Sequence, residues 1–513
     1  MISMGRFEKF ADDIRGIVNS WAFTVLVLPM VLVWKLLINN PADPDIFARV
    51  AMGRLVLRDG AVPTRDPFAF TQKSSTWIDH EWLSGVIFYL TTAVAGDFGL
   101  TLLKLVLAVG SALCILYASR AYVSTIPGRF LWVLLCVMQA TGVWITTTRC
   151  QSFTYLFIPL VYLAIVHYRA YGRIFPLAVT PLLGLVWVNL HGGYALGCCI
   201  LACLGLAQLW ERKVDYRLIL IGLAWATAPV FTPYGFATFT EKLIEGVLMA
   251  RPGVMEWYPL TYYPEKLLTT ALLSVPVVFG FWKTRHARDP LAVILIVFSA
   301  YCAGTHYRFL PLYLFTIAIF GGFYVRNALL YLTGVLGQRV ETVARAWAMA
   351  MVMVGGLFVV QALVLACNPK SYRLDYATYP MRAIDWLRIT DQRGRLLVGF
   401  NNGSLALWRL YPNFTASLDG RYEEVYPQQT VDDVAIALNP WAPQHGELLK
   451  KLVPTHILVT KDRKRLVRAA DFGPSWKVGY EDAAAMVLIG SSVNTPEAPE
   501  YVFDHKQMWM PAF

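Results

Sequence analysis

The chain has 513 residues, of which 57% are hydrophobic and 15% charged, and its mean hydropathy is +0.48. Because soluble globular proteins carry roughly 25% charged residues, this composition excludes an ordinary soluble protein and indicates a polytopic membrane protein. Basic cytoplasmic loops that fix topology and contact anionic lipid explain the net charge of +11, and no nucleic-acid recognition motif accompanies it.

The N-terminal region predicts a cytoplasmic terminus followed by a first membrane span. Residues 1–20 are polar and carry Arg6, Lys9 and Arg15. The apolar run 21–38 is long enough to cross a bilayer and lacks the small-residue pattern of a signal-peptide cleavage site. The segment that follows, 40–82, is therefore expected outside the cytoplasm.

Segment 40–82 is charged and interrupted by prolines, so it must lie at the membrane surface or line a cavity walled by protein. Residues 45–58 predict a short amphipathic helix that lies flat on the bilayer with its charges facing water. One interpretation is an interfacial anchor with solvated charges. The other starts from Asp43 and Asp45, because a carboxylate at this position can deprotonate an acceptor hydroxyl while nearby arginines neutralise a phosphate leaving group.

Eleven further apolar stretches are candidate spans. They lie at about 83–96, 99–118, 130–147, 152–168, 174–190, 193–210, 217–232, 268–283, 290–305, 309–326 and 346–367. Basic connectors alternate with nearly neutral ones, which places 233–267, 306–308 and the chain after Cys367 outside. A cytoplasmic N-terminus and an external C-terminus require an odd number of crossings, so we predict eleven to thirteen spans and leave open whether 83–96 crosses. Lys35 and Lys104 are expected to snorkel.

The external connectors contain further candidate ligand-binding residues. Loop 233–267 is aromatic and Pro-rich, which is typical of an interfacial belt and also of a loop that folds over a groove for a lipid substrate. His191 stands before two glycines, where it either meets a ligand or satisfies a helix end. Arg251, His306 and Arg308 are expected at the outer face, where the two arginines are candidate phosphate contacts.

The composition after Cys367 is that of a soluble domain. Short strands are predicted at 395–400, 414–419, 455–460, 476–481 and 484–489, with helices at 381–388, 403–410, 447–453 and 462–470. This alternation predicts a small α/β domain. The acidic stretch around Asp419, Arg421, Glu423 and Glu424 is expected to be a solvated turn.

Several short motifs resemble one membrane-enzyme superfamily. The pattern D-x-x-x-F-A-x-x-A, from Asp43 to Ala51, follows the first span, and the pieces WVNLHGGYALG, TPYG, EWYPL, HYRFLPLY and SLDGRYE are spread along the chain. Together they resemble the GT-C superfamily of integral-membrane glycosyltransferases, in particular the aminoarabinose transferase and protein O-mannosyltransferase branch. Each motif is weak individually.

The resemblance implies a fold, an activity and a site. The implied fold is an α-helical polytopic membrane domain at 1–367 with a small extracytoplasmic α/β domain at 368–513, in the bacterial inner membrane. The implied activity is transfer of a sugar from a polyprenyl-phosphate donor to a lipid, glycan or protein acceptor at the outer face. The leading acid of the family, a base or a ligand of a divalent metal in some branches, falls on Asp43. Pro44 separates Asp43 from Asp45, so both are candidate catalytic residues and the metal is unknown.

The residues with candidate binding roles are Arg49, Arg58, His80, Glu81, His191, Arg251, His306 and Arg308. Two other functions remain open. A transporter or lipid-handling protein would use the loop helix as a gate, although the chain shows no clear internal repeat of the kind common in transporters. The other is a non-enzymatic assembly partner, because resemblance to a superfamily does not establish activity.

Overall fold

The computed structural model describes Gly16 and residues 21–71, 73, 77–123, 126–238, 254–284, 288–336, 339–461 and 467–494, without the side chains of 126–127, 333–336, 339–349, 351 and 423. The chain forms two compact units. The first contains Met1–Asn40 and Thr101–Arg373, and the second contains Pro41–Leu100 and Leu374–Phe513. Residues 41–82 of the predicted segment 40–82 therefore belong, by their contacts, with the C-terminal residues.

The regular secondary structure in the described part of the first unit is helical. Its helices are α1 (Trp21–Ile38), the second half of α3 (Trp82–Ala118), α4 (Ile126–Trp144), α5 (Gln151–Tyr171), α6 (Phe175–Ala178), α7 (Thr180–Leu190), α8 (Tyr194–Glu211), α9 (Tyr216–Thr227), α10 (Pro264–Lys283), α11 (Pro290–Thr305), α12 (Leu310–Ile319), α13 (Gly322–Leu336) and α14 (Arg339–Ala366). Helix α3 is interrupted at Gly96, whose φ of 54° no helix interior adopts, so the predicted stretches 83–96 and 99–118 are two helical pieces in one run.

Many of these helices are apolar enough to cross a bilayer. Among the described residues, five helices have the required length and composition, and the pair Tyr307–Ile319 and Gly322–Leu332, bent by 55°, counts as a sixth if it forms one span. Five shorter apolar helices accompany them. Helix α10 exposes Leu268, Leu272, Val275 and Val278, a stripe that lipid rather than water would cover. The prediction of a multi-pass helical membrane protein is confirmed, while the number of spans stays a prediction.

The second unit contains the α/β fold predicted for the C-terminus. Its elements are α2 (Pro44–Asp59), the first half of α3, α15 (Met381–Ile389), β1 (Gly394–Leu397), α16 (Phe400–Leu410), β2 (Phe414–Ala416), α17 (Gln428–Ala437), α18 (His445–Leu452), β3 (His456–Thr460), β4 (Trp476–Glu481) and β5 (Ala485–Gly490). The five strands form one sheet in the order β2-β1-β3-β5-β4. Strand β1 is parallel to both of its neighbours, whereas β5 is antiparallel to β3 and β4. All five predicted strands are confirmed, and residues 462–466 of the last predicted helix lie outside the described residues.

The segment before α3 is part of this second unit. Ala69 forms a parallel bridge with Ala416 at the β2 edge of the sheet, and Pro41 forms one with Asp375. Parallel pairing needs a long connection between the paired segments, and here the connection is most of the chain.

Helix α2 is present where the sequence predicts it, but the prediction that it lies flat on a bilayer with solvated charges is wrong. Its buried residues come from several sides of the helix and include Phe47, Arg49, Val50 and Leu55. The helix packs against α16 and against the start of α3, so its apolar stripe is covered by protein. A local periodicity identifies an apolar face but not the partner that buries it.

The close approach of α2 to α3 depends on two glycines. A Cβ added to Gly53 would lie 2.0 Å from the carbonyl oxygen of Gly85, and one added to Gly85 would lie 2.6 Å from the carbonyl oxygen of Arg49. Neither backbone atom can rotate away, unlike the end of a flexible side chain. The two glycines therefore set the position of Arg49 relative to the turn that precedes α3.

We expect Gly53→Ala to destabilise the protein by about 1–3 kcal/mol, because the helices must separate to admit the methyl group. Gly446→Ala in α18 is the matched control, since a Cβ there meets nothing within 4 Å. Thermal unfolding of both variants in detergent measures the difference. Equal melting temperatures for the two variants would contradict the backbone contact.

Lys104 in the first unit does not snorkel, so that prediction is wrong. Its side chain is 1% exposed, and its Nζ donates to Asn40 Oδ1 at 2.8 Å. Asn40 Nδ2 donates in turn to Thr101 Oγ1 at 2.9 Å. The Lys104 ammonium group therefore lies in a polar network inside the helical bundle and not at the membrane interface.

Candidate functional site

The second unit contains a group of charged residues that we call the Arg49 cluster: Arg49, Asp79, His80, Glu81 and Glu424. Arg49 Nη1 donates to Asp79 Oδ1 at 2.7 Å, and Nη2 lies 2.6 Å from Glu81 Oε2 and 2.8 Å from Glu424 Oε1. His80 Nε2 is 3.8 Å from Glu81 Oε1, and His80 Nδ1 is 3.9 Å from Glu424 Oε1. One guanidinium thus faces three carboxylates, so the cluster carries excess negative charge when all three are ionised.

The three carboxylates differ in access to water. Asp79 is fully buried, whereas the side chains of Glu81 and Glu424 retain 12% and 14% exposure. Only the latter two can meet a substrate without a rearrangement.

Burial raises the pKa of Asp79 above its usual range, and Glu424 adds to the rise, although Arg49 and the backbone N–H of Glu81 oppose it. Its Oδ2 is buried and accepts no hydrogen bond from the described residues. Asp79 therefore takes up a proton more readily than an ordinary aspartate does.

The cluster also has the ligand types and spacing of a metal site. One ligand atom each from His80, Glu81 and Glu424 lies within 4.8 Å of the others. Carboxylate and imidazole groups bind divalent cations such as Mn²⁺ or Zn²⁺. Arg49 already contacts both glutamates, so a cation would have to share them with the guanidinium.

A second buried ion-pair group lies in the same unit, around Arg421. Its Nε and Nη2 donate to the two oxygens of Asp419 at 2.8 and 2.7 Å, and its Nη1 donates to Asp66 Oδ1 at 2.6 Å. The guanidinium also stacks 4.7 Å from the centre of the Trp77 ring. The prediction of a solvated turn here is wrong, because Asp419 and Arg421 are buried and pair with each other, and Arg421 also pairs with Asp66 of segment 40–82.

Asp43 has a structural position at the start of α2. Its Oδ1 accepts the backbone N–H of Asp45 at 3.0 Å, and Pro44 follows as the first helical residue, which is a standard N-cap arrangement. Asp45 is half-buried. Its Oδ1 lies 2.5 Å from the position that a Cβ on Gly420 would take. Glycine at 420 therefore leaves room for this carboxylate.

The capping geometry gives a way to separate two roles of Asp43. Serine is as good an N-cap as aspartate, so Asp43→Ser should keep the melting temperature, whereas Asp43→Ala should lose about 1 kcal/mol of stability. If capping is its only role, Asp43→Ser also keeps full activity. A stable Asp43→Ser protein that is inactive would assign chemistry to the carboxylate.

Arg58 forms an ion pair that does not involve the Arg49 cluster. Its side chain is 53% exposed and pairs with its neighbour Asp59 at 2.7 Å. It also borders a small cavity with Arg54, Trp408 and Tyr411. Exposed pairs of this kind contribute little to stability.

Two of the predicted residues of the first unit, Arg308 and His306, lie beside Glu256 and Trp257. Arg308 Nη1 lies 3.7 Å from Glu256 Oε1, and the Arg308 guanidinium stacks 4.4 Å from the centre of the Trp257 ring. Arg149 Nη1 donates to Glu256 Oε2 at 2.9 Å. His306 packs edge-on against Trp257 with ring centres 5.1 Å apart. The described end of loop 233–267 thus docks onto residues 306–309.

His191 forms hydrogen bonds at the start of α8. Its Nδ1 accepts the backbone N–H of Gly193 at 2.9 Å and lies 2.8 Å from Thr154 Oγ1. These contacts satisfy a helix end, which was one of the two interpretations. Arg251, the remaining candidate, lies outside the described residues.

The structure brings together Arg49, His80 and Glu81 in one unit, and Arg308 and His306 in the other. Sequence reasoning missed the role of Glu424, Glu256 and Arg149. Two of the three had a signal: Glu256 opens the motif EWYPL, and Glu424 directly follows SLDGRYE.

No protein-family model and no curated protein matches this chain. Among solved structures, the arabinosyltransferase EmbB from Mycobacterium smegmatis is similar, with a TM-score of 0.41 and 18% sequence identity. The match covers 60% of this chain and 30% of EmbB, so this chain spans less than a third of that protein. Similarity at this level does not define a shared activity.

Proposed function

We propose that the protein is an integral-membrane glycosyltransferase that moves a sugar from a polyprenyl-phosphate donor to a lipid, glycan or protein acceptor at the outer face of the membrane. The observation that carries the proposal is the Arg49 cluster, in which two partly open carboxylates lie beside a buried arginine and a histidine. The motifs shared with the GT-C superfamily support the same class.

The chemistry needs a base and a counter-charge. A carboxylate takes the proton of the acceptor hydroxyl, the hydroxyl oxygen bonds to the anomeric carbon, and the bond from that carbon to the phosphate oxygen breaks. The electron pair leaves with polyprenyl phosphate, and positive groups stabilise the developing charge. Arg49 is the positive group nearest to the candidate bases, and the His80 ring lies beside both of them.

Glu81 and Glu424 are better placed as base than Asp43. The side chains of Glu81 and Glu424 are partly exposed, whereas Asp43 is buried and accepts the N–H of Asp45. Asp45, half-buried one residue inside α2, stays a second candidate. If a divalent metal takes part, His80, Glu81 and Glu424 would hold it, and it would supply positive charge for the leaving phosphate.

The test uses the full chain in proteoliposomes with a synthetic polyprenyl-phosphate sugar and a membrane extract of the native host as the source of acceptor. We expect time-dependent release of polyprenyl phosphate and appearance of the sugar on an acceptor. A donor that stays intact while a solute crosses the membrane would instead support the transporter.

A further inference from the structure

The strongest feature outside the Arg49 cluster is a pair of cations that share one aromatic ring at an end of the first unit. The guanidinium carbon of Arg120 lies 4.8 Å from the centre of the Trp21 ring, and that of Arg129 lies 5.4 Å from it. Arg120 also lies 5.2 Å from the centre of the Tyr117 ring. We call these four residues the Trp21 group. None of them belongs to the site of the proposed reaction.

The Trp21 group lies where apolar helices begin and end. Trp21 is the first residue of α1, Arg120 follows the last residue of α3 by two positions, and Arg129 is the fourth residue of α4. Helix α4 has 19 residues and is therefore about 28 Å long at 1.5 Å per residue, close to the ~30 Å hydrocarbon core of a bilayer. Arg149 follows the far end of this helix, so the Trp21 group and the contacts around Glu256 lie at opposite ends of α4.

The two arginines carry like charges at short range. Their guanidinium carbons cannot be farther apart than the sum of the two distances to the Trp21 ring, and over such a separation a Debye length of about 10 Å leaves part of the repulsion unscreened. Arg129 is buried, and its Nε and Nη2 donate to the carbonyl oxygen of Val123, which has no net charge. Arg120 is exposed and forms no ion pair with any residue that the structure describes. An anion that contacts Arg120 beside Arg129 would therefore reduce this repulsion.

Tyrosines beside the group indicate that it lies at the depth of lipid headgroups. Tyr117 is 44% exposed, and Tyr171, the last residue of α5, is 56% exposed. The His167 ring lies near both, with ring centres 6.0 Å from Tyr117 and 5.5 Å from Tyr171. Exposed tyrosines at the ends of membrane-spanning helices are typical of the bilayer interface. An anion at Arg120 would therefore lie among the headgroups of the bilayer.

We infer that the Trp21 group binds the phosphodiester group of an anionic phospholipid of the surrounding bilayer. Arginine suits this ligand because its planar donors match phosphate oxygens, and stacking on an aromatic ring leaves the donors at the edge of the guanidinium available. Basic pockets between helices on the cytoplasmic side of a membrane bind anionic headgroups. The predicted topology, with residues 1–20 in the cytoplasm, puts this end of the unit on that side. The ligand is a bilayer lipid and not a sugar donor, so the inference is independent of the proposed function.

The experiment measures which lipids stay bound to the full chain. The protein is incorporated into nanodiscs of phosphatidylcholine with a minor fraction of phosphatidylglycerol, and the lipids that it retains on release into detergent are counted by native mass spectrometry. Because each cation near the surface favours an anionic lipid, we expect phosphatidylglycerol to be retained over phosphatidylcholine by about five- to thirty-fold, relative to their proportions in the nanodisc.

Variants of Arg120 test whether the preference belongs to the Trp21 group. Arg120→Gln should lose roughly five-fold of the preference, whereas Arg120→Lys, which keeps the charge, should retain most of it. Arg212→Gln is the matched control, since it removes an exposed arginine at the end of α8, which the ion pair between Arg169 and Glu211 holds beside the end of α5. It should retain phosphatidylglycerol as the unmodified protein does. An equal loss in Arg120→Gln and Arg212→Gln would attribute the preference to the general charge of this end and overturn the site.

Thermal unfolding separates lipid binding from a purely structural role of Arg120. Phosphatidylglycerol should raise the melting temperature of the unmodified protein in nanodiscs, because a ligand that binds the folded state stabilises it, and Arg120→Gln should abolish this rise. If Arg120 serves only to stack on Trp21 and Tyr117, the variant lowers the melting temperature equally with and without phosphatidylglycerol. That result would overturn the inference.

Soluble glycerol phosphate distinguishes two sources of the same anionic group. It should not displace phosphatidylglycerol at an equal concentration, because it lacks the acyl chains that keep a headgroup at the interface. Displacement at that concentration would assign the site to a free phosphate compound and overturn the bilayer lipid as its ligand.

Discussion

The double variant Glu81→Gln, Glu424→Gln should lose glycosyl transfer by about 10²–10⁴-fold, the range expected when a general base is removed. Glutamine keeps the shape of each side chain and leaves Arg49 paired with Asp79 at 2.7 Å. One of the two single variants should account for most of the loss, because one proton is taken in each turnover. The measurement is release of polyprenyl phosphate from the donor, at saturating donor concentration.

Asp432→Asn is the matched control, since it removes an exposed carboxylate from the same unit. It should retain full activity. The melting temperature of the double variant must stay close to that of the unmodified protein for the comparison to report chemistry. A folded double variant with unchanged turnover would remove the Arg49 cluster from the reaction.

Replacing Arg421 with methionine should have the largest effect on stability. The change leaves Asp66 and Asp419 buried without their shared cation, and removing one partner from a buried ion pair costs about 3–5 kcal/mol. For a unit of this size the melting temperature should fall by roughly 10 °C. Arg393→Met, whose side chain is 71% exposed, is the control and should change little.

The dependence on pH separates lost charge pairing from lost packing. In the unmodified protein, burial acts to raise the pKa of Asp419, but its pairing with Arg421 and the hydrogen bond from Tyr426 hold the pKa below its usual value. A carboxyl whose pKa is lower in the folded state adds stability above the unfolded pKa, about 3.9, and that stability is lost as the pH falls through the folded pKa. Without Arg421 the same burial favours the protonated form.

The stability deficit of Arg421→Met should therefore be smaller at pH 5 than at pH 7. Thermal unfolding of both proteins at the two pH values measures it. A deficit that is the same at both would attribute the loss to packing against Trp77 and Phe68, over which the guanidinium lies.

Much of the fold could be predicted because its signals are local. Hydrophobic runs identified the helices of the first unit, and short β-rich stretches identified all five strands. The start of α2 was readable from Asp43 followed by Pro44, and its end from Gly60, which adopts the left-handed conformation. The capping role of Asp43 was available from the same dipeptide.

The site could be predicted only in part because its contacts are not local. Arg49 meets Glu424 across 375 positions, and Arg421 meets Asp66 across 355. No periodicity encodes such a pairing, so the sequence supplied Arg49, His80 and Glu81 without the acid that completes the cluster. The burial of α2 was not predicted for the same reason, since the helix that covers it, α16, lies far along the chain.

The most direct test of the account is the fate of a polyprenyl-phosphate sugar labelled in the sugar, incubated with the purified full chain in proteoliposomes and host membrane extract. The account predicts that the label leaves the donor lipid and becomes covalently attached to an acceptor, and that this transfer is absent with the Glu81→Gln, Glu424→Gln protein. Label that stays on the donor, or that moves equally well with the double variant, would contradict it.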